Sequence, residues 1–187
     1  MCAQEAHAKL GLDSVRLVPV GEAPHRELAR DPGGEVRARL CERATASDPR
    51  LAVSRIEVDR PGVSYTVDTL RLLRSREPAE EPVLILGADQ ASRLGSWHEP
   101  EAVLELAQVG VATRGGVQRQ EVVAALDGLP IEGRIEFFDM PRIDVSSSLV
   151  RERVAASLPI RYLVPDAVAS EIAAEGLYGA TPQEVAG

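Results

Sequence analysis

Residues 82–100, PVLILGADQASRLGSWHEP, constrain the fold more than any other stretch. Val83, Leu84, Ile85 and Leu86 form a short unbroken apolar run, the pattern of a strand buried on both faces of a parallel sheet. Gly87-Ala88-Asp89 stops the run with small residues and a carboxylate. In open α/β sheets ligands bind in the crevice at the carboxyl ends of the strands. Asp89 there can accept hydrogen bonds from a ribose or an amide, or cap the helix that follows, and both can hold at once. Eight residues on stands Trp97, the single Trp of the chain. A lone Trp belongs to a core more often than to a ligand platform. Its neighbours Ser96, His98 and Glu99 nevertheless argue for a half-open position where a flat ring stacks on a base.

Around this stretch strands and helices alternate. The pattern predicts a helix over Cys2–Leu12 stopped by Gly11, a strand over Val15–Val20, and a helix over Glu35–Ala46 with Val36, Leu40 and Ala44 inward. Leu51–Val58 reads as a strand, Asp59-Arg60-Pro61-Gly62 as a turn, and Ser64–Arg76 as a helix with Val67, Leu70 and Leu73 inward. Pro100 suits the first turn of a helix running to Ala107. Val109–Thr113 and Ile135–Phe138 are strands separated by a turn at Arg114–Gly116 and a helix over Gln118–Leu126. Ser146–Ala156 and Pro165–Glu175 are helices with a short extended piece, Ile160–Leu163, between them. The expected architecture is a doubly wound, Rossmann-like parallel α/β sheet. It forms a single domain over residues 1–178, with a flexible tail over 179–187.

Composition narrows the function. A length of 187 residues supports one full core. A net charge of −8 argues against nucleic acid or an anionic membrane as partner. A small anionic ligand remains compatible, because local amides and a few Arg outweigh the overall sign. Cys2 and Cys41 are too few for a disulfide framework, no His/Cys cluster suggests zinc, and Cys41 reads as a packed thiol. No apolar run spans a bilayer and no signal peptide opens the sequence, so a cytoplasmic location is expected.

Three further stretches carry chemistry. In IDVSSSLVRER (143–153), three serines lead into a helix. One is an N-cap, which leaves two without a structural reason. The unpaired amides and positive dipole end of a helix start favour a phosphate. Ser146 and Ser147 can add donors, and Arg151, one turn inside, can reach the same anion. Ser64-Tyr65-Thr66 opens another helix at the ligand edge, where Tyr65 and Thr66 can donate to a carboxylate or amide. A capped helix with a half-buried Tyr explains it as well. GEAPHR (21–26) puts His25 and Arg26 on a loop after a strand, and a solvated His needs no function. No Ser/His/Asp order, paired-carboxylate pattern or Gly-rich dinucleotide fingerprint appears.

Taken in order, VPVGEAPHR, DRPGVSYTVDTL, LILGADQASRLGSWHEPEAVLELA, IDVSSSLVRERV and PIRYLVPDAVASEIAAEGLYG resemble the bacterial nicotinate-nucleotide adenylyltransferases of the nucleotidyltransferase superfamily. The resemblance implies transfer of AMP from ATP to nicotinate mononucleotide, with Mg²⁺, giving deamido-NAD and pyrophosphate. It implies direct attack of the mononucleotide phosphate on the α-phosphorus, so that the protein positions and stabilises charge. Trp97 then resembles the residue that stacks on the nicotinate ring, and Tyr65 and Thr66 the segment facing its carboxylate. Asp89 matches the acidic residue of the ligand-facing turn. Ser146, Ser147 and Arg151 match the segment that cradles the ATP phosphates, and His25 falls on a Pro-Pro-His-Lys loop from which Ala23 and Arg26 depart. The same-fold alternative is another adenylyltransferase, such as phosphopantetheine adenylyltransferase; the other-class alternative is a noncatalytic nucleotide-binding protein. Self-association is compatible with either.

The family opens with a strand and a G-G-x-F-D-P-x-H-x-G-H loop that leads into the helix with which this sequence starts. The histidines of that loop hold the ATP phosphates in the family, so no catalytic residue is assigned within residues 1–187. The expectation is an initiation site lying upstream, the alternative a genuinely shortened and inactive protein. The chain as written would lack the first strand of the sheet, expose strand edges, aggregate, and transfer adenylyl groups negligibly.

Overall fold

The computed structural model describes residues 1–22, 32–113 and 117–180. The chain folds as two compact units, each built from separated stretches: Met1–Val15 with Ser64–Arg142, and Arg16–Val63 with Ile143–Gly187.

The first unit holds a three-stranded parallel sheet in the order β3-β4-β5, where β3 is Val83–Gly87, β4 Gln108–Thr113 and β5 Ile135–Asp139. The register sets Val83 opposite Gln108 and Val109 opposite Ile135, and it closes with Gly87 beside Ala112 and Thr113 beside Asp139. Alternation along the strands sends side chains to two faces. On one face Val109 and Val111 are fully buried. They join Leu84, Leu86 and Phe137 in a core with Val67 and Leu70 of α3 (Thr66–Arg76) and Val103 and Leu104 of α5 (Pro100–Leu106). Val122 of α6 (Val117–Ala125) completes it. On the other face Ile85, Ala112 and Phe138 pack against Ala6 and Leu10 of the α1 region (α1, Cys2–Lys9). Gly110 permits that second layer, since a Cβ there would lie 2.6 Å from the Leu10 side chain and 2.9 Å from that of Ile85. Helices therefore cover both faces of a parallel sheet, the doubly wound arrangement the alternation predicts.

One expectation is corrected in this sheet. The apolar run Val83–Leu86 is half-buried, not buried on both faces. Among the described residues β3 has a strand on one side only. The strand flanked on both sides is β4, and it is there that five consecutive residues are buried.

The second unit contains β1 (Val15–Leu17), which begins at its boundary, and β2 (Leu51–Val53) as a two-stranded sheet. It also holds α2 (Gly34–Thr45), α7 (Ser147–Ala155) and α8 (Asp166–Ala174). Val150, Val154, Ile160, Val168 and Ile172 form its core, against which Leu40 and Ala44 of α2 pack. Arg39 and Arg43 tie α2 to α8 through Glu171 at 3.3 and 3.0 Å. Gly176 closes α8 in the left-handed conformation that favours glycine (φ +58°). Cys41 is half-buried, and burial pushes its thiol pKa up, as expected for a packed rather than reactive cysteine.

Both strands of this unit are shorter than the apolar pattern suggests. β1 ends at Leu17 because the carbonyls of Val20 and Gly21 accept hydrogen bonds from the Arg37 guanidinium, each at 2.8 Å, instead of joining a ladder. β2 ends at Val53, and Ile56 is buried from a turn that Asp59 N closes on Arg55 O at 2.9 Å. Ile160–Leu163 is likewise a turn, not an extended piece: Leu163 N donates to Ile160 O at 3.1 Å, and Tyr162 has a φ of +65°. Short apolar runs do not distinguish strand from turn when one or two residues anchor the core.

Candidate active site

Four of the site residues expected from sequence lie in the first unit. α3 begins at Thr66, with Tyr65 as an extended N-cap residue (φ −93°, ψ 139°) and no side chain capping the first-turn amides. Val67 and Leu70 drive that end of the helix into the core, which leaves Tyr65 and Thr66 half-buried at its mouth. The Tyr65 ring meets the His98 ring at 4.6 Å between centroids, tilted by 41°. Trp97 is half-buried against the same core cluster as Tyr65, and its amide donates to Leu94 O at 3.0 Å. Trp97 thus has both a packed side and an open side. The α3 opening and the Trp97-His98 segment are brought together as one surface.

That surface has an anchor which the sequence does not reveal. Glu99 takes a left-handed backbone (φ 51°, ψ 61°) as the N-cap residue of α5, with Pro100 following in the first turn. Its carboxylate accepts two hydrogen bonds from the Arg71 guanidinium, at 2.9 and 2.6 Å, and lies 3.4 Å from His98 Nε2. The Arg71 hydrogen bonds hold the Glu99 carboxyl below its ordinary pKa. Arg71 comes from the second turn of α3, so this bidentate pair clamps the Trp97–Glu99 segment to that helix. A proline after an acidic residue is the one local hint; a contact across 28 residues leaves no periodic trace.

Asp89 stands at the carboxyl end of β3, the crest where ligands bind in such sheets. It does not cap its helix. Gly87 takes the N-cap position of the one-turn α4 (Ala88–Ala91), and Asp89 sits inside the turn, exposed to solvent. The cap reading is therefore corrected. Beside it on the crest, Thr113 at the end of β4 donates to Asp139 at the end of β5 (2.6 Å). Arg119 approaches the same carboxylate at 3.5 Å, and Lys9 Nζ bonds to the Asp139 carbonyl. The Thr113 hydrogen bond, with Arg119 and Lys9 behind it, holds the Asp139 carboxyl below its ordinary range.

The second unit holds the triple serine. Ser146 is the N-cap of α7, and its hydroxyl accepts from Leu149 N at 3.1 Å. Arg151 folds back over its own first turn and donates to the Ser148 hydroxyl at 3.3 Å. All three serines are exposed, and Ser147, the first helical residue, has no side-chain bond among the described residues. A helix start, an exposed hydroxyl and a guanidinium turned back over the first turn therefore lie together in water. His25 lies outside the described residues.

The chain is similar to known proteins over nearly its whole length. Residues 1–153 match the family model described as cytidylyltransferase-like. Three curated relatives carry the name probable nicotinate-nucleotide adenylyltransferase. That of Arthrobacter sp. is 41% identical, covering 95% of this chain and 83% of the relative. That of Tropheryma whipplei is 40% identical, covering 94% and 89%. That of Trichlorobacter lovleyi is 38% identical, covering 94% and 90%. Among solved structures, the fold is similar to Plasmodium falciparum nicotinic acid mononucleotide adenylyltransferase complexed with NaAD. The TM-score is 0.72 at 14% identity, over 97% of this chain and 92% of that one.

Proposed function

We propose that this chain, which belongs to the cytidylyltransferase-like family and within it to the nicotinate-nucleotide adenylyltransferases, transfers AMP from ATP to nicotinate mononucleotide. The mononucleotide phosphate forms a bond to the α-phosphorus as the bond to the β-phosphate breaks. Deamido-NAD and pyrophosphate leave. Such a reaction asks the protein for orientation and for positive partial charge near the transferring group.

The observation that carries the reading is the joining of the α3 opening to the Trp97-His98 segment through the Tyr65–His98 ring contact. A half-buried indole supplies a wall for a pyridine ring. The uncapped first turn of α3, with Tyr65 and Thr66, supplies donors for a carboxylate on that ring. Asp89 accepts a ribose hydroxyl at the sheet crest. Ser146, Ser147 and Arg151 hold phosphates of ATP, with Ser147 and the guanidinium donating and Ser146 fixing the helix start.

Among the described residues no group of three or more His, Cys, Asp or Glu stands together to hold a metal ion. Mg²⁺ enters this reading as part of the Mg·ATP substrate, bound by the phosphates. Among the described residues no helix is long and apolar enough to cross a membrane; a cytoplasmic location belongs to the proposed biosynthetic role.

The test is a product assay with ATP, Mg²⁺ and nicotinate mononucleotide, following pyrophosphate by a coupled reaction and deamido-NAD by chromatography. Formation of the two in equal amounts, however slow in the chain as written, is the expected result. Binding of both nucleotides with no pyrophosphate would identify a noncatalytic binder, and transfer to phosphopantetheine instead would reassign the acceptor.

A further inference from the structure

Ser64 stands apart from the other buried polar side chains. Four are described: Thr45, Ser64, Thr69 and Thr113. Thr45 Oγ1 donates to Cys41 O at 3.0 Å, Thr69 Oγ1 to Tyr65 O at 3.3 Å, and Thr113 Oγ1 to Asp139 at 2.6 Å. The Ser64 hydroxyl alone has no partner and no contact with solvent, in a residue only 8% exposed. Leaving a buried hydroxyl unbonded is costly, and folded proteins rarely do it without a reason.

Its position supplies the reason. Ser64 directly precedes Tyr65, the N-cap residue of α3. One residue later it would cap the helix, as Ser146 does for α7. As it is, the hydroxyl is one residue short, and no side chain caps α3. A buried donor without a partner and an uncapped, dipole-positive helix start therefore adjoin each other. Arg71, one turn further in, is occupied by Glu99.

We infer that Ser64 is a specificity-determining residue that donates its hydroxyl hydrogen to the carboxylate of the pyridine mononucleotide. The inference rests on the function proposed above and deepens it. A carboxylate only accepts, so it satisfies the hydroxyl and the first-turn amides together, whereas a carboxamide brings an NH₂ group against donors.

The experiment measures dissociation constants by calorimetry for nicotinate mononucleotide, nicotinamide mononucleotide and Mg·ATP, with the whole chain and its S64A and S64T variants, and the melting temperature of each without ligand. For S64A the expected result is nicotinate mononucleotide binding weakened about tenfold or more. Nicotinamide mononucleotide and ATP should hold within about twofold, and the ligand-free melting temperature should be higher, because an unbonded buried hydroxyl has gone. S64T, which keeps the donor, restores nicotinate selectivity. Equal loss for both mononucleotides, or unchanged binding with a raised melting temperature, overturns the role of Ser64 while leaving the proposed function standing. A lowered melting temperature in S64A also overturns it, since the hydroxyl would then be bonded in the free protein. Failure of the unsubstituted chain to bind nicotinate mononucleotide overturns both.

Discussion

The openings of α3 and α7 are written in similar letters, Ser-Tyr-Thr and Ser-Ser-Ser, yet they are finished differently. At α7 the first serine occupies the cap position, bonds Leu149 N, and stays in water with its neighbours. At α3 the serine comes one residue too early and is buried, an aromatic residue takes the cap position, and the first turn is uncapped. The α7 start is complete without a ligand and can accept a phosphate at little desolvation cost. The α3 start is incomplete, flanked by the Tyr65 and His98 rings and the packed Trp97. It suits a flat ring carrying one fixed acceptor. On the proposed function, a shift of one residue in cap position separates a general anion site from a selective one.

The strongest test of that difference removes the ring wall. Trp97→Ala should weaken nicotinate mononucleotide binding by about 5- to 150-fold, from stacking worth about 1–3 kcal/mol per base, and leave ATP affinity unchanged. Equal losses for both nucleotides would show that the α3 surface is not a pyridine subsite. Arg151→Gln should do the reverse. Losing one charge-assisted donor worth about 1.5–3 kcal/mol should weaken ATP binding about tenfold or more. Nicotinate mononucleotide bound to the Trp97 surface should change less, and an unmoved ATP affinity would leave α7 with a capping role only.

The parts of this comparison that could be read from sequence are those written locally. Alternation of strands and helices, the serine cap of α7 and the Arg151 spacing depend on residues within one or two turns, where period and cap chemistry act. The β3 run was over-read, because an apolar tetrapeptide records which residues avoid water and not how many strands flank it; β4 holds the flanked position. A carboxylate after a strand reads equally as a cap, and it is the backbone path that gives that place to Gly87. The contacts that shape the α3 surface were invisible. Tyr65–His98 and Arg71–Glu99 join residues far apart in the chain, and Ser64 is distinguished only by lacking a bond in the folded state.

Smaller effects probe how each opening is held. Ser146→Ala removes the α7 cap and should cost about 1 kcal/mol in urea denaturation, with ATP affinity falling only as far as the frayed turn dictates. The smallest change is expected from Arg71→Gln, which removes the clamp on Glu99. In the folded protein the Arg71 hydrogen bonds depress the Glu99 pKa, so their contribution is present above the ordinary carboxylate pKa and lost as pH falls through the depressed value. In the variant the Glu99 titration should therefore move upward toward its ordinary value, followed by the side-chain carboxyl ¹³C shift, and the acid limb of stability should lose that contribution. Because Trp97 is the one Trp of the chain, its emission reports the same segment, and release of the clamp should shift it to longer wavelength. Both partners are half in water and exposed pairs contribute little to global stability, so the melting temperature should barely move. A Glu99 titration that stays where it was would mean that Arg71 does not hold it in solution, and the left-handed turn before Pro100 would then have to position Trp97 alone.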